Sequence, residues 1–484
     1  MSLPGVVLET IPPSGAPANP AGTGTVGLIG RFKIGDIGVP IRCGTKEQAV
    51  SLFGPAIPGS AMYDVGDAFD SHAPAVVIVR IDDTDATIAI VDRATPTPAA
   101  KMSLTALICG TQNNYAAGPP VVGIRAVIAA GTQTETFKLT VTLGYTEWDD
   151  VTGAIVGKTF VEEWDNLSID TTAARYFPTI INAASTLVVA VDSAPTHVTW
   201  PTHAPATGNH DLAGGLEPEY VGAGAIEAFE KDSNINLVIA DTDTSPVRAA
   251  LIAHCNKMGN RIAILNPPIG ITTTAVKVIT DAYDEEFAFL PYPWQSMYDP
   301  ILGVNRCRRP AAGVAGLVAG LLPEVSPCNK KPENLLAPER ALTEAELLDL
   351  QDHKVTPLYY FDNRGIRLRN GINLSSNPNT QQVFRTRMQF YVGESLRNSS
   401  GWAVGGQIKP SETKAVSALA SAFLAGLLDA GRIEGFSVVK VDSAAYRSAR
   451  KEVFLVKVRL YQVRDELRWQ LEVGPDAVVV TAAA

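Results

Sequence analysis

The spacing of apolar residues changes near the end of the chain from a helical period to a strand period. Seven residues at helical spacing form one continuous apolar face: Val416, Leu419, Ala420, Phe423, Leu424, Leu427 and Leu428. Pro410 precedes this run and Gly431 follows it, at positions typical of a helix start and of the residue after a helix end. Beyond Gly435, apolar and polar residues alternate, as in a strand with one covered face. The pattern therefore requires a helix and a sheet that share one core.

A similar apolar face between residues 383 and 396 predicts another helix before this one. Strands are predicted at residues 456–461 and 468–473, where apolar side chains fall at every second position. The core of this domain is predicted to contain Val416, Leu419, Phe423, Leu427 and Trp402.

Both ends of the chain carry a short segment that favours a β-strand. Val6, Val7 and Leu8 lie before a Pro-rich spacer at residues 12–20, and residues Val478, Val479 and Val480 lie close to the last residue. An isolated strand leaves its backbone donors and acceptors unpaired, so each segment needs a partner edge. Packing on the chain's own domain and strand exchange with a neighbouring copy both satisfy that requirement.

The 484 residues, of which 46% are hydrophobic and 19% charged, predict several domains with sizeable cores. A net charge of −10 disfavours a broad nucleic-acid-binding surface. The one dense basic cluster, at residues 306–309, is interpreted as a solvated loop. The N-terminus lacks a basic secretion signal, and the longest apolar stretch, at residues 313–323, is too short to span a membrane. We therefore expect a protein that folds in a cytoplasm.

Five cysteines without any C-x-x-C spacing predict neither a disulfide framework nor a zinc site. Buried thiols are the expected state for most of them. Cys307 and Cys328 lie in Pro-rich, loop-like segments, so a bridge between subunits is a hypothesis for these two.

Alternating short strands and helices predict an α/β core with a parallel sheet. A Thr- and Val-rich block interrupts that core, so the predicted fold class is mixed α/β and multidomain. It combines an α/β core, an inserted mostly β domain and a C-terminal helix-plus-sheet domain with extended terminal β arms. The expected boundaries are an arm and linker at residues 1–22, a middle domain at 23–95 plus 210–350, an inserted outer domain at 96–209, a C-terminal core at 351–475 and an arm at 476–484.

Motifs for catalysis are incomplete throughout the sequence. Residues 153–159 resemble a phosphate loop but have one residue too few between the glycines, and they lie in the β-rich block. Gly222 and Gly224 lack the third glycine of a dinucleotide fingerprint, and the acidic patch at residues 241–243 is interpreted as a solvated turn. We predict no catalytic, cofactor-binding or metal-binding residues. The alternative function that the α/β pattern leaves open is a nucleotide-binding enzyme with a β insertion.

Short motifs in a fixed order resemble contractile tail sheath proteins of phages and related injection machines. The motifs are Pro4–Glu9, Thr25–Gly30, Leu52-Phe53-Gly54, Val76–Arg80, Trp164–Asp170 with Arg175-Tyr176 and Ile181-Asn182, Leu212–Gly215, Tyr292-Pro293-Trp294 with Asp299-Pro300, Gly313–Gly316, Asn363–Ile366, Ser400–Val404 and Gly431–Phe436. Each motif is weak alone, but together they follow the order of that family along nearly the whole chain.

This resemblance implies a structural protein rather than an enzyme, with no cofactor. Subunits of such a sheath stack as six-fold rings around a tail tube, and contraction drives the tube through the target cell envelope. The implied partners are other copies of the chain, the tail tube protein, and baseplate and tail terminator proteins, without direct nucleic-acid contact or membrane insertion. The implied location is the virion tail, assembled in the host bacterial cytoplasm. The terminal arms would then join sheets in neighbouring subunits.

Overall fold

A computed structural model describes residues 20–93, 97–149, 152–195, 200, 203–361 and 364–463 of the chain. These residues form two compact units, which divide between Val404 and Gly405. The terminal strand segments at Val6–Leu8 and Val478–Val480 and the predicted strand at 468–473 lie outside the described residues.

The strands of the first unit are β1 (Thr25–Arg31), β2 (Pro40–Cys43), β3 (Ala75–Ile81), β4 (Thr87–Val91), β5 (Ala100–Ala106), β6 (Gly123–Ala130), β7 (Phe137–Asp149), β8 (Ala154–Leu167), β9 (Val188–Asp192), β10 (Gly208–Asp211), β11 (Leu237–Ala240), β12 (Ile262–Ile264), β13 (Ala288–Phe289), β14 (Pro291–Tyr292), β15 (Gln295–Asp299), β16 (Val304–Arg308), β17 (Ala337–Pro338), β18 (Thr356–Phe361) and β19 (Gly365–Leu368). Its α-helices are α1 (Lys46–Phe53), α2 (Met62–Asp70), α3 (Phe177–Ala184), α4 (Ser245–Met258), α5 (Thr273–Asp281), α6 (Pro310–Gly320), α7 (Glu344–Asp352) and α8 (Val383–Ser400).

A six-stranded sheet in the order β13-β12-β11-β1-β3-β2 forms the centre of this unit. Every pairing in it is parallel except that of β2 with β3. Alternate residues of β1 point to opposite sides: Leu28 packs in a core with α2 and α6, whereas Ile29 packs in a core with α4 and α5. Helices therefore cover both faces, and the predicted α/β core with a parallel sheet is confirmed.

The apolar stretch at residues 313–323 contributes most of α6, a helix buried from Pro310 to Ala319. The residues of this helix are apolar on all of its sides, which is typical of a helix that lies inside a unit rather than at its surface. Gly316 lets it approach α2 closely, since a Cβ at this position would lie 2.1 Å from the carbonyl oxygen of Ala68.

Strands β4 to β10 form two further sheets, in the orders β4-β5-β9 and β10-β6-β7-β8. Their shared core contains side chains of both sheets together with Phe177 and Ile181 of α3. The chain enters and leaves this region at one place, because the Leu216 N–H donates to the Thr84 carbonyl oxygen at 2.9 Å. The region is thus a compact excursion between β3 and β11 that begins before the expected residue 96.

The second compact unit begins later than the C-terminal domain expected from residue 351. Strand β18 pairs with β14, which places it with the preceding residues. Helix α8 also belongs to the first unit, where the rings of Phe390 and Phe287 lie 5.0 Å apart between their centroids. The predicted helix at residues 383–396 therefore closes the first unit.

The second unit contains α9 (Pro410–Asp429), β20 (Gly435–Val441), α10 (Ala444–Ser448) and β21 (Val453–Arg459). Helix α9 ends as its sequence predicts, with Gly431 in a left-handed conformation (φ 67°). The Gly431 N–H donates to the Leu428 carbonyl at 2.9 Å, and the Arg432 N–H donates to the Leu427 carbonyl at 2.9 Å. These two bonds form a Schellman motif, which ends the helix and leads directly into β20.

The predicted core residues of this region differ in burial. Leu419 and Leu427 are buried, and Val416 and Phe423 are half-buried. The expectation for Trp402 is wrong, because its side chain is 47% exposed. It lies in a 3₁₀ turn at Gly401–Ala403, which follows α8. The tighter 3₁₀ period changes the direction of side chains relative to the buried face of the helix.

Candidate assembly surface

The central sheet has the topology at which many enzymes bind ligands. Strands β1 and β11 are neighbours, and the chain continues from them to opposite sides of the sheet. In doubly wound sheets, ligands bind in the crevice at the carboxyl ends of such a strand pair. A nucleotide-binding enzyme with this sheet would therefore bind its ligand in this crevice.

Side chains of the protein itself fill that crevice. The Arg31 Nε lies 3.0 Å from Asp241 Oδ2, and Tyr220 donates its hydroxyl proton to the other oxygen of the same carboxylate. Asp241 is only 1% exposed, so its interpretation as part of a solvated turn is wrong. Burial alone would raise the pKa of Asp241, but the charges of Arg31 and Arg309 and the hydrogen bonds from Tyr220 and the Arg31 N–H together outweigh burial, so the pKa lies below the usual range. A Cβ at Gly30 would lie 2.4 Å from that of Ala61, so the crevice has no space at this point either.

The basic cluster at residues 306–309 also differs from its interpretation as a solvated loop. It lies on and just after β16, where three arginines contact acidic side chains that are distant in sequence. The pairs are Arg306 Nε with Glu147 Oε2 at 3.1 Å, Arg308 Nη1 with Asp67 Oδ1 at 2.7 Å and Arg309 Nη1 with Asp64 Oδ2 at 3.2 Å. All three acids are buried, so the arginines are structural connections rather than a free basic patch.

One of these pairs holds the excursion between β3 and β11 on the rest of the unit. Glu147, on β7, accepts hydrogen bonds from Arg306 and, at 2.6 Å, from the backbone N–H of Cys307. The Arg306 guanidinium also lies over the Tyr145 ring, 4.8 Å from its centroid. This contact fixes the long β7–β8 hairpin against β16.

The buried carboxylates on α2 predict a pH dependence of stability. Burial raises the pKa of Asp64 to about 6 and that of Asp67 to about 7, although Arg309 and Arg308 oppose the shift. The folded state then holds protons that the unfolded state has released, so the free energy of unfolding falls as pH rises from about 4 through 7. We expect a loss of several kcal/mol, because the two shifts together amount to about five pKa units and one unit corresponds to about 1.4 kcal/mol.

Urea unfolding between about pH 4 and pH 8 measures this slope. Asp67→Asn should flatten it. Asp352→Asn, at an exposed position on α7, is the matched control and should retain the slope of the unmodified protein. A free energy of unfolding that rises over this interval in the unmodified protein would contradict the prediction.

None of the five cysteines forms a disulfide, and Cys43, Cys109 and Cys255 are buried, as expected for most of them. Cys307 and Cys328 are half-buried. The Cys328 thiol donates to the Arg369 carbonyl oxygen at 3.2 Å. A bridge between subunits through these two thiols stays a prediction.

The incomplete motifs have structural positions. Gly153 lies in the turn between β7 and β8, and its N–H donates to the Asp149 carbonyl oxygen at 2.8 Å. The residues that follow form β8, not the helix that a phosphate loop requires. Within the described part of the chain, no group of three or more His, Cys, Asp and Glu side chains could hold a metal ion. The helices described are all too short or too polar to cross a membrane.

An open β-hairpin distinguishes the second unit. Strands β20 and β21 pair antiparallel over seven residues each, from Gly435 opposite Arg459 to Val441 opposite Val453. Among the described residues they have no other strand partner. Within that part of the chain, each strand therefore has an outer row of backbone N–H and C=O groups that no strand pairs. A two-stranded sheet is marginally stable in water, and both of its edges can accept another strand.

One face of this hairpin is covered and the other is not. Phe436, Val438, Val456 and Val458 share the more buried face, and α9 packs on β20. On the opposite face, Val439 is 55% exposed and Leu455, directly across the hairpin from it, is 47% exposed. In the part of the chain that the structure describes, the hairpin therefore has an exposed apolar pair beside two edges that no strand pairs.

A polar contact joins the hairpin to α9. Glu452 Oε1 lies 2.8 Å from Lys440 Nζ and accepts a hydrogen bond from the Thr413 hydroxyl at 2.5 Å. Burial raises the pKa of Glu452, but the two donors outweigh burial and hold the pKa below its usual range. The hairpin is thus held on its helix, and no strand among the described residues covers its edges.

No protein-family model and no curated protein matches the sequence. Three solved structures match almost all of the chain. The helical sheath of the anti-feeding prophage in its contracted state is 10% identical, with 98% of this chain and 99% of that chain covered and a TM-score of 0.57. The contracted sheath complex of the extracellular contractile injection system PVC is 12% identical, with 98% of each chain covered and a TM-score of 0.56. The sheath tail protein from Desulfitobacterium hafniense is 13% identical, with 94% of this chain and 100% of that chain covered and a TM-score of 0.53.

This chain has the fold of contractile sheath proteins. The likeness extends over both compact units, so the order of domains as well as their individual folds corresponds. The fold class predicted from the sequence is confirmed.

Some of the sequence motifs occupy structurally demanding positions within the sheath fold. Asn166 adopts a positive φ of 58° at the end of β8, and its side-chain oxygen accepts the Gln133 N–H at 2.8 Å. Arg175 donates to the carbonyl oxygens of Asp165 and Asn166 at 2.7 and 3.1 Å. The Tyr176 hydroxyl donates to Asp192 at 3.0 Å. The hydrogen bonds of this motif close a turn after β8, so its residues have a structural role in the fold.

Proposed function

We propose that this chain is a structural subunit of a contractile sheath. Subunits polymerise as stacked six-fold rings around a tail tube, and contraction of the sheath drives the tube through a target cell envelope. The observation that carries the proposal is the full-length likeness to the contracted sheaths of two injection systems. A six-fold symmetrised baseplate structure of the anti-feeding prophage contains a chain with a TM-score of 0.54, which supports the ring symmetry.

Assembly in this proposal depends on strand addition. The Val6–Leu8 and Val478–Val480 segments of neighbouring copies pair with the open edges of β20 and β21. Such a contact uses different surfaces on the two copies, and a contact of this kind that does not close on itself generates a helical assembly.

Contraction in this proposal is a rearrangement of rigid bodies. Buried ion pairs and a doubly covered sheet make the first unit suited to move as one body, while the main-chain bonds of the arms keep neighbours connected. The energy is stored in the extended assembly, so no nucleotide is consumed. The filled crevice beside Asp241 supports a protein that does not act as an enzyme.

The partners of the subunit are other copies of itself, the tail tube protein, and the baseplate and tail terminator proteins. It assembles in the host bacterial cytoplasm and functions in the tail of the particle. Direct nucleic-acid contact is disfavoured by the net charge of −10 and by the acidic partners of Arg306, Arg308 and Arg309.

Negative-stain electron microscopy of the purified full-length protein tests the proposal. Tubes or stacked rings are the expected result. Discrete small particles at high concentration, with saturable binding of ATP or GTP by calorimetry, would instead favour a nucleotide-binding enzyme.

We also propose that the excursion between β3 and β11 is an inserted domain on the outer side of the particle. Its own core and its closely spaced ends support this assignment. If the insert lies on the outer side, its sequence can change without altering the residues that make the assembly contacts.

Excision of residues 85–215, with a short Gly/Ser bridge between Thr84 and Leu216, should leave a folded remainder. These two residues are hydrogen-bonded at 2.9 Å, so a short bridge fits without strain. The measurement is circular dichroism and thermal unfolding of the shortened protein.

The comparison variant lacks only residues 98–203, the cut that composition suggests. It removes β5, the strand that pairs with β4, together with β9, the third strand of that sheet, and should aggregate. An unfolded 85–215 deletion would contradict the domain assignment.

A further inference from the structure

The first described residues of the chain are tied to the body of the first unit. The Ala21 N–H donates to the Ser395 hydroxyl oxygen at 3.0 Å. Asn236 makes two bonds, since its Nδ2 donates to the Gly22 carbonyl at 3.0 Å and its Oδ1 accepts the Thr25 N–H at 3.1 Å. We call residues 20–25 the anchor strap.

The middle of the anchor strap is held by a buried arginine and by close packing. Arg387 donates to the Thr23 carbonyl at 3.4 Å and to the Leu321 carbonyl, just after α6, at 2.8 Å. A Cβ at Gly24 would lie 2.7 Å from the carbonyl oxygen of Ala319, so only glycine permits this approach. The strap therefore contacts α8, the end of α6 and the residue before β11.

The two α8 residues that hold the strap lie on one side of that helix. Arg387 and Ser395 are eight residues apart, which is two steps of four along one face. Tyr391, between them, lines the same small cleft beside the strap. Helix α8 ends at Ser400, and the second unit begins at Gly405. One helix is thus bonded to the root of the N-terminal residues and covalently continuous with the C-terminal unit.

We propose that the anchor strap is the point at which tension on the N-terminal arm enters the subunit, and that α8 transmits it to the unit with the open hairpin. The proposal rests on the sheath function, because it requires that the arm bind a neighbouring copy. Asn236 and Ser395 are positioning residues in it. They hold the strap, and they lie outside the arm segment that pairs with a neighbouring copy.

The arm beyond the strap is long enough for this role. Thirteen residues lie between Leu8 and Gly22, and an extended chain spans about 3.3 Å per residue, which gives a reach of about 45 Å. A strand on so long a tether transmits a pull efficiently only if the base of the tether is fixed. The contacts of the strap with α8, with the end of α6 and with Asn236 supply that fixed base.

The test uses the full-length double variant Asn236→Ala/Ser395→Ala. Its matched control is Asn234→Ala/Ser400→Ala, which changes an exposed residue two positions away and a serine whose hydroxyl bonds to its own helix at Leu396. Hydrogen–deuterium exchange on the monomer reports the strap directly. We expect about fivefold to tenfold faster exchange at Ala21–Thr25 in the test variant and no change in the control.

The second readout is the length of tubes by electron microscopy before and after controlled shear. The test variant should form tubes that break to several-fold shorter lengths than those of the unmodified protein and the control. Unchanged exchange at the strap, or equal lengths after shear, would overturn the anchor proposal alone. Absence of tubes from the unmodified protein would overturn the sheath function and the anchor together.

Discussion

Removal of residues 1–11, or of residues 477–484, leaves a folded and soluble monomer that no longer forms tubes. Neither truncation removes a residue of the three cores described for the first unit. Their expected partners are the two open edges of the β20–β21 hairpin in another copy. Loss of either arm removes one junction at every subunit of the assembly.

The free energy of one junction is modest, and repetition makes the effect large. Each arm contributes several backbone hydrogen bonds at about 0.5–1.5 kcal/mol net apiece. It also buries a few apolar side chains at about 1.5–3 kcal/mol apiece. Ordering the arm opposes this by about 1–2 kcal/mol for each residue. Because a polymer repeats the small surplus at each subunit, assembly depends steeply on it.

Sedimentation and electron microscopy measure tube formation, and circular dichroism verifies the monomer. Val479→Pro should abolish tubes nearly as well as truncation, because it removes a backbone donor from the strand. Val479→Thr, which keeps that donor and the β preference, and removal of residues 482–484 alone are the matched controls and should assemble. Normal yield and length from either arm truncation would show that the arms are not the links.

Asp241→Ala lowers the free energy of unfolding of the first unit by about 3–5 kcal/mol. The substitution leaves the buried Arg31 Nε without its carboxylate partner and removes the acceptor of the Tyr220 hydroxyl. It also removes the acceptor of the Arg31 backbone N–H, which lies 3.1 Å from Asp241 Oδ2. Since typical proteins are stable by only about 5–15 kcal/mol, the variant should be unfolded or aggregated at moderate temperature.

Chemical unfolding followed by circular dichroism measures this loss. Asp243→Ala, two residues away at a half-exposed position, is the matched control and should change stability little. The double variant Arg31→Met/Asp241→Leu, which replaces the ion pair with apolar side chains, should recover much of the loss. Equal stability of Asp241→Ala and Asp243→Ala would contradict a stabilising role for the pair.

The spacing of apolar residues and the capping residues are sufficient to predict those helices that depend on interactions between near neighbours in the sequence. The helix at Pro410–Asp429 and its end at Gly431 follow from spacing and from one glycine. Thr45 caps the start of α1, since its side chain accepts the Gln48 N–H at 3.2 Å. These features depend on interactions over a few residues, which the sequence displays directly.

The polar networks could not be predicted in the same way, because their partners are far apart in the chain. Arg31 and Asp241 are separated by 210 residues and Arg308 and Asp67 by 241, so each charge looked solvated when only its neighbours were considered. Trp402 was misjudged for a related reason. Its hydrophobicity favoured burial, but the local change from α to 3₁₀ helix decides its direction.

The two-stranded sheet of the second unit has a thermodynamic consequence for the whole protein. A strand supplied by another molecule binds only the folded hairpin, so it stabilises that unit by mass action. The melting temperature of the second unit should then rise with protein concentration, whereas that of the first unit, with its complete six-stranded sheet, should not. The stability of the first unit is thus a property of the single chain, whereas the stability of the second unit depends on how many other chains are present.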